Sequence, residues 1–198
     1  MIPSSVVAGA PGRGADRACG TDGHGNSVPR RVDSWEDARQ MGLTIRLLGV
    51  PRIVRDGVDV AAPRGQKPWG LLAYVLLADR PVSRQHLAER LFPEADDPLG
   101  TLRWTLTALR RALGCGDALR GDPLSTGFAG DDAVEVDVLS LSGGEAAGLL
   151  QLGGDLLEGV NVAGCPLFQS WLVVERCRLS AVIEARLRRS SNGFDSRR

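Results

Sequence analysis

The sequence predicts an α+β fold: an N-terminal antiparallel sheet, three helices and a C-terminal hairpin, followed by a short all-α segment. Three observations predict it. Two β-patterned runs flank Asp56-Gly57, a dipeptide that suits a two-residue hairpin turn because both positions accept positive φ. Leu99, Leu102, Leu106, Leu109 and Leu113 step by three and four, which at about 100° per residue gathers them into one helical stripe. Phe168, Trp171, Leu172, Leu179, Val182, Ile183 and Leu187 mark one face of a long C-terminal helix.

Composition bounds the class. The chain has 198 residues and is 43% hydrophobic, enough for a real core and too apolar for wholesale disorder. Basic and acidic residues balance at 24 each, so no global field draws the chain to nucleic acid or membrane. The longest apolar run, Trp69 to Ala78, falls short of the ~20 residues a membrane helix needs. Val6 to Ala10 is too short, and lacks the preceding base, for a secretory signal. The expected location is the cytoplasm, with reduced cysteines. Cys19, Cys115, Cys165 and Cys177 lie 96, 50 and 12 residues apart, which is not zinc-ligand spacing. No metal and no cofactor is expected.

The elements follow in order. Residues 1–42, rich in Gly, Pro, Ser and Arg, read as a disordered leader, and Met41 stands where a natural start would fall. The sheet spans about 43–62. A helix from about Pro68 to Ala78 follows, its proline tolerated in the first turn. Ser83 caps the next helix, Arg84 to Phe92, which Pro93 closes. The leucine-striped helix runs from about Pro98 to Leu113, stopped by Gly114 and Gly116. Residues 117–138 read as a hairpin, and helical signals return from 143. The domains read as leader 1–42, a DNA-binding fold 43–138, a helical domain 139–189 and a disordered tail 190–198.

Catalytic constellations are absent. No phosphate-binding glycine loop, nucleophile elbow or His-Glu-x-x-His is present. His86 is the one candidate base on a predicted element, and it lacks an obvious nucleophile or orienting partner; it reads as a solvent-edge helix residue. Asp96-Asp97 and Asp131-Asp132 read as helix-start and turn chemistry. No catalytic residue is assigned, and the chain reads as a non-enzyme.

The leucine-striped helix carries the functional signal. On a wheel its opposite flank holds Arg103, Trp104, Thr107, Arg110 and Arg111, with no acid among them. Guanidiniums stay charged and grip phosphates or guanine edges through a planar fork, and Thr can bond phosphate or cover a thymine methyl. Taken alone this reads slightly more readily as a solvated helix face. The order sheet, helix, helix, basic helix, hairpin is that of a winged helix-turn-helix, in which the second helix positions the third in the major groove. Residues 43–115 hold 11 basic and 7 acidic side chains, net +4. Arg64 and Lys67 at the start of the first helix and Arg84 at the start of the second add phosphate-binding candidates.

Several runs, taken in order, resemble one family. They are Leu43-Thr44-Ile45-Arg46-Leu47-Leu48-Gly49, Leu71-Leu72-Ala73-Tyr74, Arg80-Pro81-Val82-Ser83-Arg84 and Leu109-Arg110-Arg111-Ala112-Leu113-Gly114, then Gly154-Asp155-Leu156-Leu157-Glu158-Gly159 and Phe168-Gln169-Ser170-Trp171-Leu172 with Glu175-Arg176. Together they resemble the Streptomyces antibiotic regulatory proteins, the AfsR/SARP regulators, over about residues 43–189. The resemblance implies an OmpR-type winged helix followed by a bacterial transcriptional activation domain of stacked, TPR-like helix pairs, here truncated. It makes the helix carrying Arg103 to Arg111 the recognition helix. It implies binding to direct repeats of double-stranded DNA, as a homodimer, with recruitment of RNA polymerase and no membrane contact.

Two departures shape the expectation. Ending soon after Leu187 would leave the apolar face of Phe168, Trp171, Leu179 and Ile183 short of packing partners. The hairpin is acidic, with Arg120 as the one base against Asp117, Asp122, Asp131, Asp132, Glu135 and Asp137, so a phosphate contact from it should be weak or absent. The expected function is a sequence-specific DNA-binding transcriptional regulator at promoters of a biosynthetic or regulatory gene cluster. The alternative is a protein-interaction module, a non-activating relative that pairs with a full-length regulator.

Overall fold

The computed structural model describes residues 42–116, 118–127, 134–141 and 154–195. The leader with Met41, the acids Asp117, Asp131 and Asp132, and the helical signals of 143–153 lie outside the described residues.

The chain opens with β1 (Leu43–Arg46), β2 (Arg52–Arg55) and β3 (Val58–Asp59). β1 and β2 pair antiparallel, with Ile45 opposite Ile53. Asp56 and Gly57 turn β2 into β3 at φ 52° and 78°, both in the left-handed region that a two-residue turn of this kind requires. Leu43, Ile45 and Ile53 point into the core while Arg46 and Arg52 do not, the period-two alternation of a half-buried sheet.

Three helices follow, α1 (Lys67–Leu77), α2 (Arg84–Leu91) and α3 (Pro98–Leu113). Every residue of α1 from Pro68 to Leu76 is buried, which is why its sequence shows no polar face. Ser83 caps α2 by accepting from the His86 N–H at 3.2 Å. Asp97 caps α3 by accepting from the Gly100 N–H at 2.8 Å. Gly114 ends α3 at φ 69°, and the Arg55 side chain, whose Nη2 donates to the Ala112 carbonyl at 3.1 Å, occupies the space a Cβ at Gly114 would need. Four leucines of the α3 stripe, Leu102, Leu106, Leu109 and Leu113, are buried. Leu99 is 43% exposed. A helical wheel gives direction but not depth, and Leu99 sits in the first turn, at the end of the stripe.

The hairpin differs from the sequence expectation. β4 (Leu119–Arg120) and β5 (Ser125–Thr126) form a short antiparallel ladder of their own, bridged by Leu124 to Val82 in the α1–α2 loop. β6 (Val134–Val136) leaves the hairpin and pairs in parallel with β1, giving a mixed sheet of order β3-β2-β1-β6. The N-terminal sheet is therefore not purely antiparallel. The physical anchor is Asp137 at the start of α4 (Asp137–Ser140). Its Oδ2 accepts from the Leu47 and Leu48 N–H groups at 2.8 and 2.9 Å, and its Oδ1 from the Val138 N–H at 2.7 Å. Asp137 is 2% exposed; it is a buried clasp on the end of β1, not a surface acid.

Beyond it, Gly154 to Val160 lies along the exit of β1, with the Leu157 N–H donating to the Leu47 carbonyl at 2.8 Å and the Gly49 N–H to the Asp155 carbonyl at 2.9 Å. The final helix, α5 (Pro166–Asp195), runs into the stretch read from sequence as a tail; once a long helix is nucleated, each further residue adds a hydrogen bond at little cost. Its apolar face does find partners. Phe168, Leu172 and Leu179 are buried in the same core as α1 and α2. The Phe168 ring lies on α1 at Gly70, where a Cβ would stand 2.8 Å from the ring. The Arg176 guanidinium fastens α5 to the segment before it by donating to the Leu156 and Leu157 carbonyls at 2.8 and 3.0 Å. Among the described side chains of α5, the large apolar ones left exposed are Leu167, Val173 and Val174.

Candidate nucleic-acid interface

α3 turns its leucines into the core and its opposite surface to solvent. Arg103 and Arg111 are exposed, Thr107 is half-exposed and Trp104 is 75% exposed. The outward direction of these four follows from the same period that buries Leu102, Leu106 and Leu109.

Arg110 behaves differently. It is half-buried, and its Nε and Nη2 both donate to the Leu119 carbonyl, the former at 3.1 Å. It therefore binds α3 to β4 instead of projecting like Arg103 and Arg111. Burial lowers its pKa, and the guanidiniums of Arg84 and Arg120 lower it further. The charges of Arg84 on α2 and Arg120 on β4 thus reach Arg110 on α3. Arg84 is itself held to the hairpin, its Nε donating to the Gly121 carbonyl at 2.9 Å and its backbone N–H to Asp122 Oδ1 at 3.0 Å. Asp122 thereby acts on the N-terminus of α2. Arg120 acts there although the sequence reading set it aside as an isolated base in an acidic hairpin. The signal that would have found it is its place beside Leu119, whose carbonyl both Arg110 nitrogens reach.

The remaining predicted residues lie elsewhere. Lys67 sets its ammonium over the Phe92 ring at 5.0 Å, and its charge acts on the Cys165 thiol. Arg64 is exposed in the loop before α1. That loop leans on the 158–165 segment, with Gln66 Oε1 accepting from the Asn161 N–H at 2.7 Å.

The Thr107 hydroxyl donates to the Arg103 carbonyl at 2.9 Å, so it presents a methyl group and oxygen lone pairs outward. A phosphate oxygen, itself an acceptor, gains nothing from it in that state. His86 is not a bare solvent-edge residue. Its Nε2 accepts from Arg90 Nε at 2.8 Å and lies 3.1 Å from the Tyr74 hydroxyl, in a ring assembly with Trp171 that joins α1, α2 and α5. Among the described residues no group of His, Cys, Asp and Glu could hold a metal ion, and no helix is long and apolar enough to cross a membrane.

The class these elements define is a mixed α+β protein in which a sheet is followed by helices, with α3 presenting a cationic outer face. No protein-family model matches the chain, and no curated protein matches it. Among solved structures it is similar to Mycobacterium tuberculosis EmbR in complex with low affinity phosphopeptide, at a TM-score of 0.51 and 16% identity. The likeness covers 72% of this chain and 44% of that one, so the chain spans less than half the length of the solved protein. What the likeness shows is a fold shared with that protein.

Proposed function

We propose that the protein is a DNA-binding transcriptional regulator with an OmpR-type winged-helix arrangement, acting without catalysis of its own. In this reading α2 and α3 form the helix-turn-helix, α3 enters the major groove and β4–β5 is the wing. The observation that carries it is the outer face of α3, where Arg103 and Arg111 project to solvent beside Trp104 and no acidic side chain interrupts Pro98 to Leu113. The resemblance to the SARP regulators fits the same role. Promoters are the proposed targets, direct repeats bound by a dimer the proposed geometry, RNA polymerase the proposed partner and the cytoplasm the proposed location.

The test is a mobility shift on genomic fragments against competitor DNA at two salt concentrations. Binding that weakens steeply with salt, and an Arg103→Ala, Arg111→Ala double variant that binds poorly while keeping its fold, support the reading. Salt-independent binding, or an unaffected double variant, overturns it. A second reading, a protein-interaction module, is favoured by Leu167, Val173 and Val174 on the open side of α5; it predicts association that ignores Arg103 and Arg111 altogether.

A further inference from the structure

The outward surface of α3 is divided along its length. At about 100° per residue, Arg103, Thr107, Arg110 and Arg111 fall on one half, and Trp104, Ala108, Thr101 and Thr105 on the other. The second half is poor in hydrogen-bond donors: the Trp104 indole N–H is its one side-chain donor not already spent on the helix backbone. Thr101 Oγ1 donates to the Asp97 carbonyl and Thr105 Oγ1 to the Thr101 carbonyl, each at 2.9 Å. Both hydroxyl protons are thus directed into the helix backbone, and methyl groups and lone pairs remain. Ala108 adds another methyl, and Trp104, 75% exposed, supplies a broad apolar plate. On the other half, Thr107 is turned inward in the same way.

We propose that this half of α3 reads the C5-methyl groups of thymine in the major groove, with Trp104 as the principal contact. The inference rests on the DNA-binding reading and narrows it to a class of site. Within the major groove each base pair offers donors and acceptors, and thymine alone among the unmodified bases offers a methyl. A surface with one indole N–H and threonine lone pairs lacks the planar fork by which Arg, Asn or Gln reads a purine edge. It gains by covering apolar groups, since water leaves both sides of the contact. A protein partner could cover an indole too. The flanking arginines, uninterrupted by acid, favour a polyanion as the occupant. In this arrangement the arginine half grips phosphates and guanine edges while the tryptophan half selects thymine-bearing steps.

The experiment selects bound duplexes from a random pool with the full chain, then replaces each thymine of the selected site by deoxyuridine, which lacks only the methyl. Expected is a weakening of about fourfold for each methyl that is buried, confined to a few positions, and absent in Trp104→Ala. Circular dichroism confirms that this exposed substitution leaves the fold intact. Equal affinity of the wild type for thymine and deoxyuridine duplexes overturns the inference while leaving DNA binding standing. Deoxyuridine sensitivity that persists in Trp104→Ala also overturns it, because another residue then reads the methyls. A Trp104→Ala variant that loses self-association but binds the selected duplex unchanged assigns the indole to a protein contact and overturns it as well. Failure of every duplex to bind removes the DNA-binding reading itself, and this inference with it.

Discussion

Tyr74 on α1 and Trp171 on α5 pack ring against ring at a tilt of 50°, with centroids 4.6 Å apart, and the Phe168 ring lies a further 5.3 Å from Trp171. These three rings make the C-terminal helix part of the same core as the first helix.

If so, α5 should not melt by itself. Phe168→Ala empties a fully buried ring site and should cost about 3–5 kcal/mol, with α5 and the sheet losing structure together. Far-ultraviolet circular dichroism and tryptophan fluorescence should give one coincident transition. Two separated transitions in the wild type would show that α5 is an independent unit.

Arg110 and Arg111 are neighbours in sequence with different expected consequences. Arg110→Ala leaves the Leu119 carbonyl without its two donors and should destabilise the protein by about 1–3 kcal/mol, read as a lower urea midpoint. Arg111→Ala should leave the midpoint unchanged and weaken DNA binding instead. If Arg111 grips a phosphate, the loss should be uniform across sequences and the salt slope should fall by about 1.

Asp137 sets a pH dependence. Burial raises its pKa above the ordinary 3.8, against the opposing pull of the Leu48, Leu47 and Val138 N–H groups and of Arg46. The folded state therefore holds this proton at a pH where the unfolded chain has released it. The group's contribution to stability is full below pH 3.8 and is lost as pH rises through the raised folded value. Asp137→Asn cannot titrate, so the wild type should lose stability relative to this variant across that window. Parallel urea titrations at a series of pH values measure the difference. Asp137→Ala should be destabilising at every pH, by about 3 kcal/mol, because three buried N–H groups lose their acceptor.

The described thiols should separate by reactivity. Burial raises the pKa of Cys115 and of Cys165, and Cys165 donates its S–H to the Leu91 carbonyl at 3.1 Å. Cys177 is exposed. Iodoacetamide followed by peptide mass mapping should label Cys177 first, and Cys115 and Cys165 only in denaturant, since the thiolate is the reacting form.

α3 was legible in the sequence because its signals are local: leucines at helical spacing, Asp97 before it, Gly114 after it. The Asp56-Gly57 turn was legible for the same reason. The partner of β6 was not: alternation marks a strand but not what it pairs with, and the partner is β1, some ninety positions earlier. Asp137 was misread because alternation through Val134, Glu135 and Val136 sends it outward with Glu135 only if the strand continues. The strand stops at Val136 and α4 begins, which turns the carboxylate inward. Within the candidate site, the wheel placed Arg103, Trp104 and Arg111 on the outer surface as found. It could not place Arg110, whose angle is close to that of Arg103, because what lies across from it is a hairpin carbonyl supplied by a later part of the chain.

The parallel pairing of β6 with β1 has a practical corollary for anyone dissecting the polypeptide. A cut at residue 138 separates Asp137 from the helix it opens and strips Phe168 and Trp171 from Gly70 and Tyr74. Cut there, the N-terminal portion exposes the α1 surface that Phe168 and Trp171 cover. Chimeras that aim to transplant it need to carry α5 along as the lid of its apolar interior.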